Sequence, residues 1–278
     1  MNRHRKIHNG FDSARSQNSS DPIARKNKKM ETKNPQLAEL YRKDGFLTGI
    51  PISNETEATQ HRRAYDALEA EVGKEICEIG LIDWHFDHQF IWDLATHPKI
   101  VDVIEALIGP DVMLLATHFF CKYGPRDKFV AWHQDVTYWG LEPPDAITAW
   151  YAIDDSDTGN GCMQVIPGSH QRGIQEHGTS EQAGNLLSIN QEVPVTESEA
   201  DSAVDLVLKA GEMSIHHGQM IHGSLPNHST RRRCGLTIRY IDPSVKQAEE
   251  NSLKRPWKPI LLRGEDRYQN FTTVPNPF

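Results

Sequence analysis

Val130-Ala131-Trp132-His133-Gln134-Asp135-Val136 is the stretch on which the reading of this chain turns. It has the composition of a strand, and a His and an Asp two residues apart on a strand leave the same side of a sheet. One imidazole nitrogen and one carboxylate oxygen are thereby offered to a single ion. Downstream, Ile221-His222-Gly223-Ser224 supplies a second histidine, and Arg233 follows eleven residues later in the run Arg231-Arg232-Arg233. Two histidines and one carboxylate that leave coordination positions open suit non-haem Fe(II). A His-x-Asp pair alone says little in a chain with 14 histidines. The ordered set carries the reading.

The surroundings of that stretch indicate how it is held. After Pro110 the apolar pattern runs with period two, and strands are expected over Val112 to Tyr123, Val130 to Val136, Ala146 to Asp154, Met213 to His217 and Cys234 to Ile241. Short strands joined by Gly, Pro and Asn turns indicate a double-sheet jelly roll. Before Pro110 the spacing is helical. Leu37, Leu40 and Tyr41 form a stripe that stops before Gly45. Asn54 with Glu57 makes a capping-box start for a long helix through Tyr65, Leu68 and Val72. Phe90, Ile91 and Leu94 mark a short helix ended near Pro98, and Ile100, Val103, Ile104 and Leu107 another that stops at Gly109-Pro110. The fold class expected is mainly β with flanking α: a double-stranded β-helix (jelly-roll, cupin-like) core buttressed by the N-terminal helices. On this frame His133 and Asp135 project inward from one strand, and His222 enters from the turn after Met213 to His217.

The order His133-x-Asp135, Asn160-Gly161-Cys162-Met163-Gln164-Val165-Ile166-Pro167-Gly168-Ser169-His170, Gly211-Glu212, His222-Gly223-Ser224 and Arg233 resembles the phytanoyl-CoA dioxygenase family, from about Leu37 to about Asp242. The resemblance implies Fe(II) held by His133, Asp135 and His222. It also implies 2-oxoglutarate whose distal carboxylate pairs with Arg233, and O2 as oxidant. Ser224, Gln134 and Trp150 fall at positions that line the co-substrate pocket in the family, and His170 borders the substrate pocket. Tyr138 and Trp139, in the loop after the ligand strand, are candidates to wall that pocket. The activity implied is hydroxylation of an unactivated C-H bond of a small-molecule metabolite, with 2-oxoglutarate decarboxylated to succinate and CO2. Asp135 weighs against halogenation, because halogenating relatives carry a small residue there; desaturation and ring formation stay open. The rival readings are a non-oxidative metal- or ligand-binding protein of the same fold, acting as sensor or isomerase, and an interaction module using the basic arm.

The arginines can be sorted by geometry. Arg233 and Arg239 share a face of their strand but lie roughly 20 Å apart at about 3.3 Å per residue, so a single pocket would use one of them. Arg233 is assigned to the dicarboxylate, Arg239 to a structural ion pair, and Arg231 and Arg232 to solvent or the turn. Lys122 either helps to hold a carboxylate or is solvated. His216 and His217 point to opposite faces, with core or ligand-supporting roles, while His118, His177 and His228 are read as ordinary polar residues.

Composition agrees with one domain and a tail. A chain of 278 residues, 37% hydrophobic, can bury one sizeable core. A net charge of -8 argues against nucleic acid as a partner, and no apolar run approaches the roughly 20 residues needed to span a bilayer. Four scattered cysteines, Cys77, Cys121, Cys162 and Cys234, form no Cys-x-x-Cys and read as buried thiols of a reducing, cytoplasmic protein. Residues 1-33, rich in Lys, Arg, Asn and Ser, read as a disordered basic extension, with Met30 as an alternative start that would place residues 1-29 outside the native chain. Residues 34-278 form the single catalytic domain. The stretch from Lys254 to Phe278 should wrap the barrel in extended form, anchored by Leu261 and Leu262, and the protein should be a monomer or homodimer.

Overall fold

The computed structural model describes residues 35-187, 189-248 and 256-278. The basic extension over 1-33, with Met30, and the first two residues of the stretch from Lys254 lie outside the described residues. Strands are numbered in chain order. The major sheet has the order β1 (Phe46–Pro51), β10 (Glu212–His217), β5 (Ile147–Ala152), β12 (Arg233–Ile241), β2 (Val112–Lys122) and β14 (Ile260–Arg263). The minor sheet has the order β3 (Val130–His133), β11 (His222–Ser224), β6 (Met163–Val165) and β9 (Val204–Leu206). Every pairing within both sheets is antiparallel. Two ribbons pair β4 (Leu141–Glu142) with β13 (Lys246–Gln247) and β7 (Gly178–Thr179) with β8 (Gln191–Glu192). This is the jelly-roll core expected from the alternation after Pro110.

The helices fall where their stripes place them. Helix α1 (Pro35–Asp44) ends at Gly45, whose φ of 80° is open to glycine at little cost and whose missing Cβ leaves room for His170 and Met220. Helix α2 (Glu55–Val72) starts with the Asn54/Glu57 capping box, both reciprocal bonds being present. Then come α3 (Lys74–Ile79), α4 (Gln89–Ala95) and α5 (Pro98–Ile108). No helix of the described residues is long and apolar enough to cross a membrane.

These helices cover one face of the major sheet, and alternation along each strand decides what the other face holds. Tyr65, Leu68, Ile91, Leu94, Ile100 and Ile104 pack against Phe119, Cys121, Ile147, Tyr151, Ile215, Leu236, Ile238 and Tyr240. On β12 every residue is buried. Its even-numbered positions Cys234, Leu236, Ile238 and Tyr240 meet the helices, and Arg233, Thr237 and Arg239 line a cavity on the other side. A strand buried on both faces normally reads as continuous apolar sequence, so two buried arginines mark the inner face as more than packing.

Several expectations need correction. Strand β3 ends at His133, not Val136; Gln134 is extended and Asp135–Tyr138 is a 3-10 turn, tied to the β10 end by Val136 N–H donating to the Gly218 carbonyl. His222 sits on a strand, paired with His133 and Val165, rather than in a turn. At the carboxy terminus, Ile260 and Trp257 provide the buried anchors, while Leu261 faces outward beside a partly buried Leu262. Arg232 does not face solvent: it ion-pairs with Asp66, Glu69 and Asp154 and stacks on Tyr65, joining α2 to the sheet. Arg231 does occupy the turn, bonding Asp157 through Nη2.

Candidate metal centre and co-substrate pocket

The pairing of β3 with β11 sets His133 directly opposite His222. Their rings lie 4.1 Å apart between centroids. Gln134 is extended, so Asp135 leaves the chain on the same side as His133 despite the end of the strand. One ligand atom from each of His133, Asp135 and His222 lies within 4.8 Å of the other two. The three residues singled out in the sequence therefore converge.

Each histidine is oriented by the backbone carbonyl two residues before it. His133 Nδ1 lies 2.9 Å from the Ala131 carbonyl and His222 Nδ1 2.9 Å from the Met220 carbonyl. A carbonyl only accepts, so each Nδ1 carries a hydrogen and Nε2 is the nitrogen left to face an ion. Burial lowers the His222 pKa, and the neighbouring His133 and His216 act in the same direction, so the imidazole is held neutral. Burial alone would raise the Asp135 carboxyl. Contacts with His133 and His216 and the charge of Arg239 outweigh burial and hold it well below the usual carboxylate range. Thr148 Oγ1 donates to Asp135 Oδ2 at 2.9 Å, and His216 Nε2 is 3.5 Å from the same oxygen. Asp135 Oδ1, 3.7 Å from His133 Nε2, is the oxygen turned toward the histidines. Two imidazole Nε2 atoms and one ionised carboxylate form the donor set an Fe(II) site needs.

A cavity runs from these ligands along β12 to Arg233, past Trp150, Ser224, Thr237 and Arg239. Arg233 is 2% exposed, and its guanidinium stands over the Trp150 ring at 5.4 Å. Its Nε and Nη2 have no hydrogen-bond partner among the described residues. Gly235 makes this stacking possible, because a Cβ there would lie 2.0 Å from Trp150 Cζ2. A buried guanidinium with unused donors is costly unless an anion completes it. A carboxylate at the end of a chain reaching back to the metal fits that requirement.

Other site expectations fare differently. Ser224 and Trp150 line the cavity. Gln134 does not: alternation turns it away from its neighbours, and its amide is consumed elsewhere. Nε2 donates to the Gly173 and Gln219 carbonyls, and Oε1 accepts from Gln175 N–H. Gln134→Leu should therefore leave partly buried backbone groups unpaired, costing about 1–2 kcal/mol, and should speed amide exchange at Gln175. Unchanged exchange would remove this clamp from the account. Trp139 is core, 6% exposed and packed edge-on against Trp257, with Arg239 over its ring. Tyr138 rests edge-on against His177 outside the cavity lining, and His170 donates from Nε2 to the Arg42 carbonyl at the end of α1. Arg239 lines the same cavity as Arg233, so the two are not divided between separate pockets.

Thr148 was not singled out from sequence, although its signal was available: it alternates with Trp150 on β5 and so faces the same side. Ser169 was likewise unread as a support. Its Oγ accepts from Ile221 N–H at 2.9 Å and fixes the approach to His222.

Comparison with known proteins agrees with this geometry. The chain is 31% identical over 200 residues to a probable alpha-ketoglutarate-dependent hypophosphite dioxygenase of Stutzerimonas stutzeri, a match covering 70% of this chain and 65% of that protein. The chain thus spans just under two thirds of that relative. Among solved structures, the apo form of the non-heme monooxygenase ThoJ superposes with a TM-score of 0.69 at 29% identity, covering 86% of each chain. The epimerase SnoN, solved with Fe3+ and alpha-ketoglutarate, superposes with a TM-score of 0.62 at 23% identity over 77% of this chain and 85% of its own, which shows a shared fold. The family profile described as phytanoyl-CoA dioxygenase matches residues 41–235, an interval that contains His133, Asp135, His222 and Arg233. Covering well over half of the sequence, that match makes the chain a member of the phytanoyl-CoA dioxygenase family, whose enzymes use Fe(II), 2-oxoglutarate and O2.

Proposed function

We propose that this protein is an Fe(II)- and 2-oxoglutarate-dependent dioxygenase that hydroxylates an unactivated C-H bond of a small-molecule metabolite. The balance is R-H + 2-oxoglutarate + O2 giving R-OH + succinate + CO2. The observation that carries the reading is Arg233, a buried guanidinium with two unpartnered nitrogens in the same cavity as His133, Asp135 and His222. Bound by those three side chains, Fe(II) would supply the activation of oxygen that no side chain can.

The chain's own residues do the rest. His133 and His222 offer Nε2 because their Nδ1 hydrogens are spent on backbone carbonyls. Asp135 stays ionised at neutral pH and keeps its orientation through Thr148. Arg233 takes the distal carboxylate of 2-oxoglutarate, with Trp150 beneath its guanidinium and Ser224 beside it. The carboxylate of Asp135 occupies the place that a halide would need, which favours hydroxylation. A reducing cytoplasmic setting suits the four free cysteines and an Fe(II) site, with a monomer or dimer as the working unit.

The test is an anaerobic titration of the purified protein with Fe(II) and 2-oxoglutarate. The weak visible metal-to-ligand charge-transfer band is expected in the wild type. Succinate should then form when O2 is admitted, faster in the presence of a substrate found by screening metabolites. Folded protein that develops no band would overturn the co-substrate reading and return the chain to the class of non-oxidative binding proteins.

A further inference from the structure

Lys122 ends β2, with its Cα paired across the sheet with that of Arg233. Its side chain is only 2% exposed, and Nζ reaches three oxygens: Ser224 Oγ at 2.6 Å, the Ser224 carbonyl at 3.1 Å and the Leu225 carbonyl at 2.5 Å. Two buried cations thus occupy neighbouring positions. No acidic side chain among the described residues bonds or ion-pairs with either of them. Burial pushes the Lys122 ammonium well below its ordinary range, and the charge of Arg233 pushes in the same direction. An arrangement this costly in the free protein makes sense where an anion arrives to complete it.

Donor arithmetic shows what Lys122 does to its neighbour. Charged, as an anion arriving beside it would keep it, the Lys122 ammonium has three hydrogens to give and no lone pair. Two go to carbonyls that can only accept. The third goes to Ser224 Oγ, which must accept it and so keeps its own hydrogen for another partner. Ser224 lines the cavity with Arg233. The serine hydroxyl and the guanidinium therefore present hydrogens to the same space, as a carboxylate requires. With an apolar group in place of the ammonium, the hydroxyl could turn its hydrogen to the Leu225 carbonyl and show lone pairs to the ligand.

We propose that Lys122 is a positioning residue for the distal carboxylate of 2-oxoglutarate: it holds Ser224 Oγ as a donor toward that carboxylate and adds a second positive charge behind Arg233. The proposal rests on the co-substrate reading above and assigns a role to a residue that reading does not use.

Binding to Mn(II)-loaded protein, which does not turn over, is measured by calorimetry for 2-oxoglutarate and for 2-oxopentanoate, the same chain without the distal carboxylate. Lys122→Met is expected to raise the Kd for 2-oxoglutarate about 10- to 100-fold, the range for hydrogen bonds to charged groups, while Kd values for 2-oxopentanoate and Mn(II) stay within about twofold. Ser224→Ala should produce a similar selective loss, and the double variant should add little to either single change. Equal weakening of both ligands, or no change for 2-oxoglutarate in folded Lys122→Met, would overturn the proposal. Should Lys122→Met fail to fold, Ser224→Ala decides alone: unchanged 2-oxoglutarate binding refutes the cradle, and selective loss supports it. A wild type that binds no 2-oxoglutarate would instead sink the co-substrate reading itself, an outcome distinct from failure of the Lys122 role.

Discussion

Asp135→Ala is expected to abolish the Fe(II)/2-oxoglutarate charge-transfer band and to cut O2-dependent succinate formation by well over ~100-fold, since loss of outer-shell partners alone costs about 10–100-fold. Asp135 is the one carboxylate in the cluster with His133 and His222. Without it, two imidazoles remain, and neither offsets the charge of a divalent ion. The alanine also strands Thr148 Oγ1, so Asp135→Asn is the better partner variant. It can keep a bond from Thr148 while removing the charge. Acid titration of the metal-free protein separates the two properties. The folded-state carboxyl is held below its usual value, so its contribution to stability is fully present above about pH 4 and fades as the pH falls through the lower folded value. Asp135→Asn should lack that part of the acid transition. A charge-transfer band of normal intensity in folded Asp135→Ala would mean that the metal is held elsewhere.

What could be read from the sequence, and what could not, divides along the range of the interactions involved. Helices α2 and α5 announce themselves through capping residues and apolar stripes, which are local signals. The pairing of His133 with Asp135 was legible because alternation along an extended chain needs no knowledge of the partner strand, whereas Arg233 was singled out by the family resemblance. Short strands such as β6, β9 and β11 span three residues each and contain no full period to detect. Direction was the other gap. Gln134 stands between two ligands in sequence, yet the same alternation that turns them inward turns it outward. Trp139 follows the ligand strand, but the 3-10 turn carries it into the core beside Trp257. Arg239 was separated from Arg233 by counting rise per residue. That estimate holds for Cα atoms and neglects both the length of the arginine arms and a cavity that follows the strand. Lys122 stayed open between holding a carboxylate and being solvated, because burial of a lysine depends on oxygens about a hundred residues downstream at Ser224 and Leu225.

Arg233→Met is expected to move binding and stability in opposite directions. Its guanidinium is the natural partner of a distal carboxylate, and truncating one side of a buried charge pair costs about 2–5 kcal/mol, so the Kd for 2-oxoglutarate should rise roughly 30- to 5,000-fold. In the free protein the same side chain is a buried cation whose Nε and Nη2 are unpartnered. Replacing buried charge by an apolar side chain of similar reach is commonly neutral or stabilising by about 1–4 kcal/mol. Loss of the stacking on Trp150 removes about 1 kcal/mol of that gain, and a thioether over the ring returns part of it. The variant should therefore melt at or above the wild type when both are free of ligand. Adding 2-oxoglutarate with Mn(II) should reverse the order for a ligand-free advantage below about 2 kcal/mol, because a ligand at 100 times its wild-type Kd stabilises the wild type by about 2.7 kcal/mol and a variant weakened 30-fold or more by under about 1 kcal/mol. The crossing of the two melting curves is the diagnostic result, since a purely structural arginine would destabilise the variant under both conditions. If Arg233→Met were less stable without ligand and gained as much as the wild type with it, Arg233 would be a packing residue and the cavity would have to recognise its dicarboxylate by other means.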